Sequence, residues 1–385
     1  MNVLFITAWY PNKFDKMIGL FVQKHAEAVS SYCNTKVLSV QPSVLVNKIE
    51  IERKSDLGFD EIIVYYPGKS DTLFHKIHKQ INFCLAYIRG FKLVRDLNFK
   101  IDIIHSNVLT RNVFVAYLIK LIYHIPYVVS EHWSRYLPEQ NSYNGIFRKW
   151  LTKIVTRNAS AILPVSDKLM NAMISHGLYN NKYIIINNIV DDAFFEKSIE
   201  KLRNKKRVLS VSCFDERAKN TKGIIRVANE LLRKRNDVEF VFIGTGKDFE
   251  DVVNYSTEIT NGNTNISFIG EKTPLEVAKW MRESDIFVLF SNFETAGIVI
   301  TESLVSGTPV ISTDVGIASK FINDSNGKII QVGNEQQFIA ELNHMLDNLQ
   351  SYDRNTISAN SLNLFDKRFI GKKITEVYHN CINLN

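Results

Sequence analysis

At 385 residues the chain is too long for one ordinary core, and its length predicts two or three domains. Its 45% apolar and 23% charged content is that of a soluble globular protein, and no run reaches the roughly 18 apolar residues of a membrane-spanning helix. The net charge of +7 points to an anionic partner: nucleic acid, an acidic membrane surface or a diphosphate.

In chain order, Val3-Leu-Phe-Ile6 reads as a strand, followed by the turn-rich Trp9-Tyr-Pro-Asn12. No basic, small-residue leader precedes it, and the expectation is a cytoplasmic protein. Gly19–Val29 has helical periodicity, and Thr35–Val40 is the next strand. The stretch from Phe74 to Arg95 interleaves cations with apolar residues and reads as a basic amphipathic surface suited to an anionic membrane. Ile101–His105 and Pro126–Ser130 are strands with the helix Val113–Tyr123 between them. Ala161–Val165 is another, followed by the cap-like Ser166-Asp167 and a helix. Such alternation predicts a mostly parallel sheet covered by helices.

The pattern then restarts. Asn187–Asp192 is turn chemistry, and the charged Glu196–Lys206 reads as a linker or exposed loop. Arg207–Ser212 opens a second sheet, continued by Val238–Ile243 with its Gly244-Thr-Gly246 turn, Ile266–Gly270 and Asp285–Phe290. The final segment Phe365–Tyr378 is helical, with Phe369, Ile374, Val377 and Tyr378 on or near one face. The four cysteines, Cys33, Cys84, Cys213 and Cys381, show no metal-ligand spacing.

The densest chemistry lies in Glu294-Thr-Ala-Gly297-Ile-Val-Ile-Thr-Glu302, which runs on to Gly307-Thr-Pro309 and the strand Pro309–Ser312. Strand, glycine turn, helix, strand is half of a Rossmann unit, whose ligands bind at the carboxyl ends of the strands. Glu294 falls in the loop at that end and Glu302 in the helix beyond it. The backbone N–H groups of Ala296, Gly297, Ile298 and Val299 open that helix and suit a phosphate. Two carboxylates beside such a helix start are the layout of a sugar-nucleotide site.

This stretch resembles the Glu-x7-Glu signature of the retaining glycosyltransferases of family 4. The resemblance implies an α/β fold of GT-B type: two Rossmann-like domains facing across a cleft, with a C-terminal helix crossing back to the first. It sets expected boundaries at 1–189 for an acceptor-binding domain, 190–364 for a nucleotide-sugar-binding domain and 365–385 for the returning helix. In the family the loop after the first strand of the second domain holds an Arg and a Lys that grip the diphosphate. Here Cys213 stands where the Arg is expected, Arg217 is near enough to replace it, and Lys219 is the better match for the Lys, with Lys222 as runner-up. Cysteine cannot imitate the guanidinium fork.

In the first domain, Trp9-Tyr-Pro11 and Met17-Ile-Gly19-Leu-Phe21 look like the family's first-strand loop. Gly19 either admits the donor's diphosphate or serves the turn. Ser130-Glu-His132-Trp-Ser134 resembles a bacterial surface-polysaccharide branch of the family, and places His132 near the transferred sugar. His105 is expected to be structural. The resemblance implies same-face transfer, Glu294 anchoring the sugar hydroxyls and Glu302 the ribose. The loops near Gly244 and Gly270 are expected to contact the base. No Asp-x-Asp cluster is placed to hold a cation, so neither metal nor cofactor is expected.

The function so implied is retaining sugar transfer from a nucleotide-sugar donor to a glycan or lipid-linked acceptor, in bacterial surface polysaccharide or lipopolysaccharide synthesis. The expected location is the cytoplasm, at the inner face of the cytoplasmic membrane. No nucleic-acid partner is expected, because no nucleic-acid module is found and the charge is spread along the chain. Two alternatives stand beside it: a nucleotide-sugar 2-epimerase on the same fold, and a non-catalytic sugar-nucleotide-binding protein.

Overall fold

A computed structural model describes residues 1–69, 71–96, 99–196 and 204–382. The chain divides into two compact units, one of residues 1–189 with 367–385, the other of residues 190–366.

In the first unit the order is β1 (Asn2–Thr7), α1 (Leu20–Ser30), β2 (Asn34–Ser43), β3 (Glu50–Lys54), β4 (Asp60–Pro67), α2 (Leu73–Asp96), β5 (Ile103–Asn107), α3 (Arg111–Tyr123), β6 (Tyr127–Glu131), α4 (Ile146–Asn158), β7 (Ala161–Pro164) and α5 (Asp167–Ser175). These strands form one sheet in the order β3-β4-β2-β1-β5-β6-β7, parallel except for the edge strand β3. The chain builds outward from β1 to β4, then returns to β5 on the other side of β1. The carboxyl ends of β1 and β5 therefore flank a topological switch point, where such sheets leave a crevice. The central strands are apolar on both faces because helices cover both. Val3, Phe5, Ile63, Ile103 and Val128 are all fully buried.

The second unit runs β8 (Lys206–Val211), α6 (Glu216–Lys219), α7 (Thr221–Leu232), β9 (Val238–Ile243), α8 (Phe249–Thr260), β10 (Ile266–Phe268), α9 (Pro274–Glu283), β11 (Ile286–Leu289), α10 (Ile298–Val305), β12 (Val310–Thr313), α11 (Ala318–Phe321), β13 (Gly327–Ile330), α12 (Glu335–Asp347) and α13 (Arg354–Phe365). Its sheet is wholly parallel, in the order β10-β9-β8-β11-β12-β13, so its switch point lies between β8 and β11. Both units are Rossmann-like.

The last helix, α14 (Lys367–Ile382), belongs to the first unit, where it packs on α1. Lys367 pairs with Glu27 at 2.8 Å, and Ile370, Ile374, Val377, Tyr378 and Cys381 join the first core. The expected apolar face needs one correction. Phe369 is exposed and Ile370 takes its place, because Phe369 lies roughly 140° around the helix from Ile374. Of the expected linker Glu196–Lys206, residues 197–203 lie outside the described residues.

Candidate active site

In the second unit, two loops at the switch point carry the predicted side chains. Strand β8 runs into Ser212–Asp215 and the one-turn helix α6, which ends on Lys219. Asn220 then takes a left-handed backbone conformation, φ 48°, and α7 begins. The Glu216 carboxylate accepts the N–H groups of Thr221 and Lys222, both at 2.9 Å, and so caps α7 while fixing the bend that presents Lys219.

Strand β11 leads into the second loop, Ser291–Gly297, which carries Glu294. The two loops are tied directly. Asn292 donates its backbone N–H to Ala218 O at 2.7 Å and its side-chain amide to Arg217 O at 2.9 Å. Lys219 Nζ then meets Glu294 Oε1 at 2.5 Å, and Ser291 Oγ donates to the same oxygen at 2.9 Å. The lysine and glutamate side chains are only 16% and 11% exposed. Burial pulls the Lys219 ammonium down, but the Glu294 charge and hydrogen bond, with Cys213 and Asp215 nearby, more than reverse this and hold it above the usual lysine value.

Lys222 is turned elsewhere: it pairs with Asp251 at 2.7 Å and lies over the Tyr255 ring. Arg217 is exposed beside the same loops, its guanidinium 6.0 Å from the Phe293 ring. Cys213 is exposed.

Gly297 caps α10 with φ 75°, and Ile298 and Val299 form the first turn of that helix, whose N–H groups have no intrahelical acceptor. Ala296 is buried and accepts the Ile317 N–H from the loop after β12. Glu302 lies half-buried in the second turn of α10. Gly244 and Gly270 end β9 and follow β10, joined by a 2.9 Å bond from Gly244 N to Gly270 O. Lys219, Glu294, Gly244, Gly270 and Gly297 thus share the carboxyl-end rim of one sheet. Sequence reasoning did not identify Asn292, Ser291 or Glu216. Asn292 and Ser291 sit within three residues of Glu294, and that adjacency was the available signal.

In the first unit, Gly19 caps α1 with φ 66°, and a Cβ there would fall 2.2 Å from the Trp9 carbonyl carbon, so the turn itself demands glycine. His132 follows β6 and is buried, its ring 4.2 Å from Phe21 and 5.5 Å from His25. Burial and the charges of His25 and His105 hold its pKa well below the usual histidine range, so the ring is neutral at pH 7. His105 is also buried. Its Nδ1 bonds the Tyr378 hydroxyl on α14, and its Nε2 lies 2.7 Å from Ser130 Oγ. Glu131 accepts backbone N–H groups from Leu109, His132 and Trp133, each at 2.8 Å, and knits the loops after β5 and β6. Among the described residues no cluster of His, Cys, Asp or Glu is fit to hold a metal ion.

A cation and a carboxylate at a switch point, beside a helix start, are groups that suit a phosphorylated ligand on a doubly wound scaffold. Comparison with known proteins agrees. Residues 56–194 match the family model described as Glycosyltransferase Family 4, and residues 191–361 match Glycosyl transferases group 1. The chain is a family 4 glycosyltransferase of GT-B architecture.

It is 27% identical over 274 residues to an uncharacterized glycosyltransferase of Methanocaldococcus jannaschii, covering 71% of this chain and 72% of that one. It is 23% identical to an alpha-monoglucosyldiacylglycerol synthase of Streptococcus pneumoniae, covering 80% of this chain and 66% of that one. Among solved structures, sucrose-phosphate synthase from Thermosynechococcus elongatus superposes over 100% of both chains with a TM-score of 0.78 at 14% identity. Anabaena HepE, solved with UDP-glucose, covers 99% of this chain and 100% of its own at a TM-score of 0.71 and 16% identity.

Proposed function

We propose that the protein transfers a sugar, with retention at C1, from a nucleotide-sugar donor bound on the second unit. The single observation that carries this reading is the Lys219–Glu294 pair at the β8/β11 switch point. Departure of the diphosphate builds negative charge on its oxygens, and fixed positive groups and N–H donors are what such a step needs. Lys219 supplies the ammonium, and the first-turn N–H groups of α10 supply the donors. Glu294, held through Oε1 by Lys219 and Ser291, keeps Oε2 for a sugar hydroxyl, and Glu302 takes the ribose. The placement of Lys222 on Asp251 favours Lys219 as the diphosphate grip. Arg217 replaces the arginine displaced by Cys213. The leaving phosphate oxygen serves as base toward the acceptor hydroxyl, so no protein nucleophile and no metal is required. A uridine diphosphate sugar is the first donor to try, because HepE was solved with UDP-glucose.

The acceptor belongs to the first unit and is a glycan or lipid-linked acceptor of bacterial surface polysaccharide or lipopolysaccharide synthesis, with His132 orienting the acceptor hydroxyl. The enzyme works in the cytoplasm, against the inner face of the membrane. UDP-, GDP- and ADP-sugars should be screened for slow hydrolysis, with Glu294→Ala and Lys219→Ala beside the wild type. One donor should be turned over, with loss in both variants. Binding of a donor without turnover, even with lipid-linked acceptors supplied, would establish a sugar-nucleotide-binding protein instead.

A further inference from the structure

The first unit holds a cavity of about 610 Å³ at its own switch point, lined by the loops after β1, β5 and β6 and by α4. No Asp or Glu lines it, while three arginines do: Arg111, Arg135 and Arg148. Three buried polar atoms on its wall have no hydrogen-bond partner: Asn112 Nδ2, Thr110 Oγ1 and Arg135 Nε. Asn112 is 2% exposed. A buried donor without an acceptor costs about 1–3 kcal/mol, and three in one wall mark a place built for an acceptor group from outside. Arg135 stacks on Trp133, 3.1 Å from its ring centroid, and Arg111 is steered by Tyr66 and Gln80 and lies over Phe83. Both guanidinium groups are therefore pre-positioned.

The rest of the lining is apolar, and it does not end at the cavity. Phe147 and Leu151 stand one turn apart on α4. Phe147 is 72% exposed, and beside it on the same helix Ile146 and Trp150 are exposed too. An apolar strip therefore leads from the arginine-bearing wall out onto the flank of α4.

We propose that this cavity binds an anionic amphiphile, a phosphoryl group on an apolar chain, as the carrier of the acceptor: the phosphoryl oxygens meet Asn112, Thr110, Arg111 and Arg135, and the chain follows Phe147 and Leu151 outward. A guanidinium fork matches phosphoryl oxygens, and charge-assisted bonds of this kind are the strong ones. A neutral glycan would bring no counter-charge to these arginines, of which Arg135 has a carboxylate, Glu131, within electrostatic reach. The proposal rests on assigning the acceptor to the first unit and narrows its chemistry.

The test is direct binding of dodecyl phosphate, dodecyl maltoside and inorganic phosphate, below the micelle concentrations, read by fluorescence of Trp9 and Trp133. Dodecyl phosphate should bind at least about tenfold more tightly than either control, and Arg111→Gln or Arg135→Gln should remove about tenfold of that affinity while leaving the maltoside unchanged. Where a variant fails to fold, hydrogen exchange on the wild type replaces it: dodecyl phosphate should slow exchange in residues 107–112 and 131–136. Equal or tighter binding of the maltoside would overturn the proposal in favour of a neutral glycan. Inorganic phosphate binding as tightly as dodecyl phosphate would overturn it in favour of a free phosphate compound, and protection elsewhere would overturn it outright. No nucleotide sugar enters this experiment, so its failure and a failure of donor hydrolysis are read separately.

Discussion

Lys219 Nζ and Glu294 Oε1 stand 2.5 Å apart although 75 residues separate them in sequence. Each is the other's main electrostatic support, and neither side chain is more than 16% exposed. Removing one leaves the other as a nearly buried, uncompensated charge, which commonly costs about 3 kcal/mol or more. Lys219→Ala and Glu294→Ala should therefore each lower the melting temperature as well as donor turnover, by about 10²–10³ in rate. The double variant should be more stable than the sum of the two losses predicts, because it removes both charges. A strictly additive cycle, measured by urea unfolding, would show that the pair carries no coupling.

The loop bearing Glu294 is braced from beneath. Gly316 has φ 54°, and a Cβ there would fall 2.3 Å from Ala296 O and 3.2 Å from Glu294 Cβ. Gly270 has φ 72°, but a Cβ there would meet nothing within 4 Å. Alanine at either position carries the left-handed backbone cost of about 1–2 kcal/mol. Only Gly316→Ala adds a clash with backbone that holds Glu294. It should destabilise by clearly more than Gly270→Ala and should weaken donor turnover. Equal melting temperatures for the two variants would remove the bracing role.

The parts of the fold that could be read from the sequence are those where one local pattern suffices. Ile286–Leu289, Gly297 and Ile298–Val305 form a strand, a turn and a helix whose periods and glycine are visible in consecutive residues. The β3–β4 antiparallel pair was not read. β3 is a charged edge strand, Glu50-Ile-Glu-Arg-Lys54, whose single apolar residue is exposed, so it lacks the buried face that marks a strand. Glu294 and Lys219 could be picked out one at a time, but the contact between them is long-range. So are the Asn292 bonds to Ala218 and Arg217, which depend on β8 and β11 being neighbours in the sheet. The unpaired donors of the first-unit cavity left no sequence signal, since Thr110, Asn112 and Arg135 become a group only when β5 and β6 pair.

Three histidines in the first unit set an acid limit on stability. Burial lowers His25 to about 4, and burial with neighbouring imidazole charge holds His105 and His132 well below their usual range. The unfolded chain takes up these protons near pH 6.5 and the folded chain refuses them, so stability is full above about pH 6.5 and falls toward pH 4. His25 alone forfeits about 2 kcal/mol by pH 5, and His105 and His132 act in the same direction. Glu131 acts in the opposite sense. Burial raises it to about 7 against the pull of three backbone N–H groups, so its contribution is full below about pH 4.5 and is lost as pH rises through 7. Three groups outweigh one, and urea unfolding should show net destabilisation from pH 7 to pH 5. His25→Gln should flatten that slope. An unchanged slope would mean that His25 is not held neutral by the fold.

Helices α2 and α4 carry the membrane argument. Leu73, Ile77, Ile81, Leu85 and Ile88 recur at intervals of three or four along α2 and are all exposed, a stripe within about 120° of one another. Lys92 and Arg95 continue that stripe, and α4 adds Arg148, Lys149, Lys153 and Arg157 with no acidic residue in its length. Among the described residues no helix is long and apolar enough to cross a membrane. The combination of exposed apolar stripe and mainly positive charge fits a surface that lies on an anionic bilayer, each cation adding about 1 kcal/mol near it. The protein should sediment with phosphatidylglycerol vesicles and not with phosphatidylcholine vesicles, and about 0.5 M salt should release much of it, since that shortens the screening length to a few ångströms. Ile81→Asp or Trp150→Asp should weaken vesicle binding while donor hydrolysis in solution, proposed to take place on the second unit, stays as in the wild type. Equal sedimentation with both lipids would leave the basic residues without a membrane role.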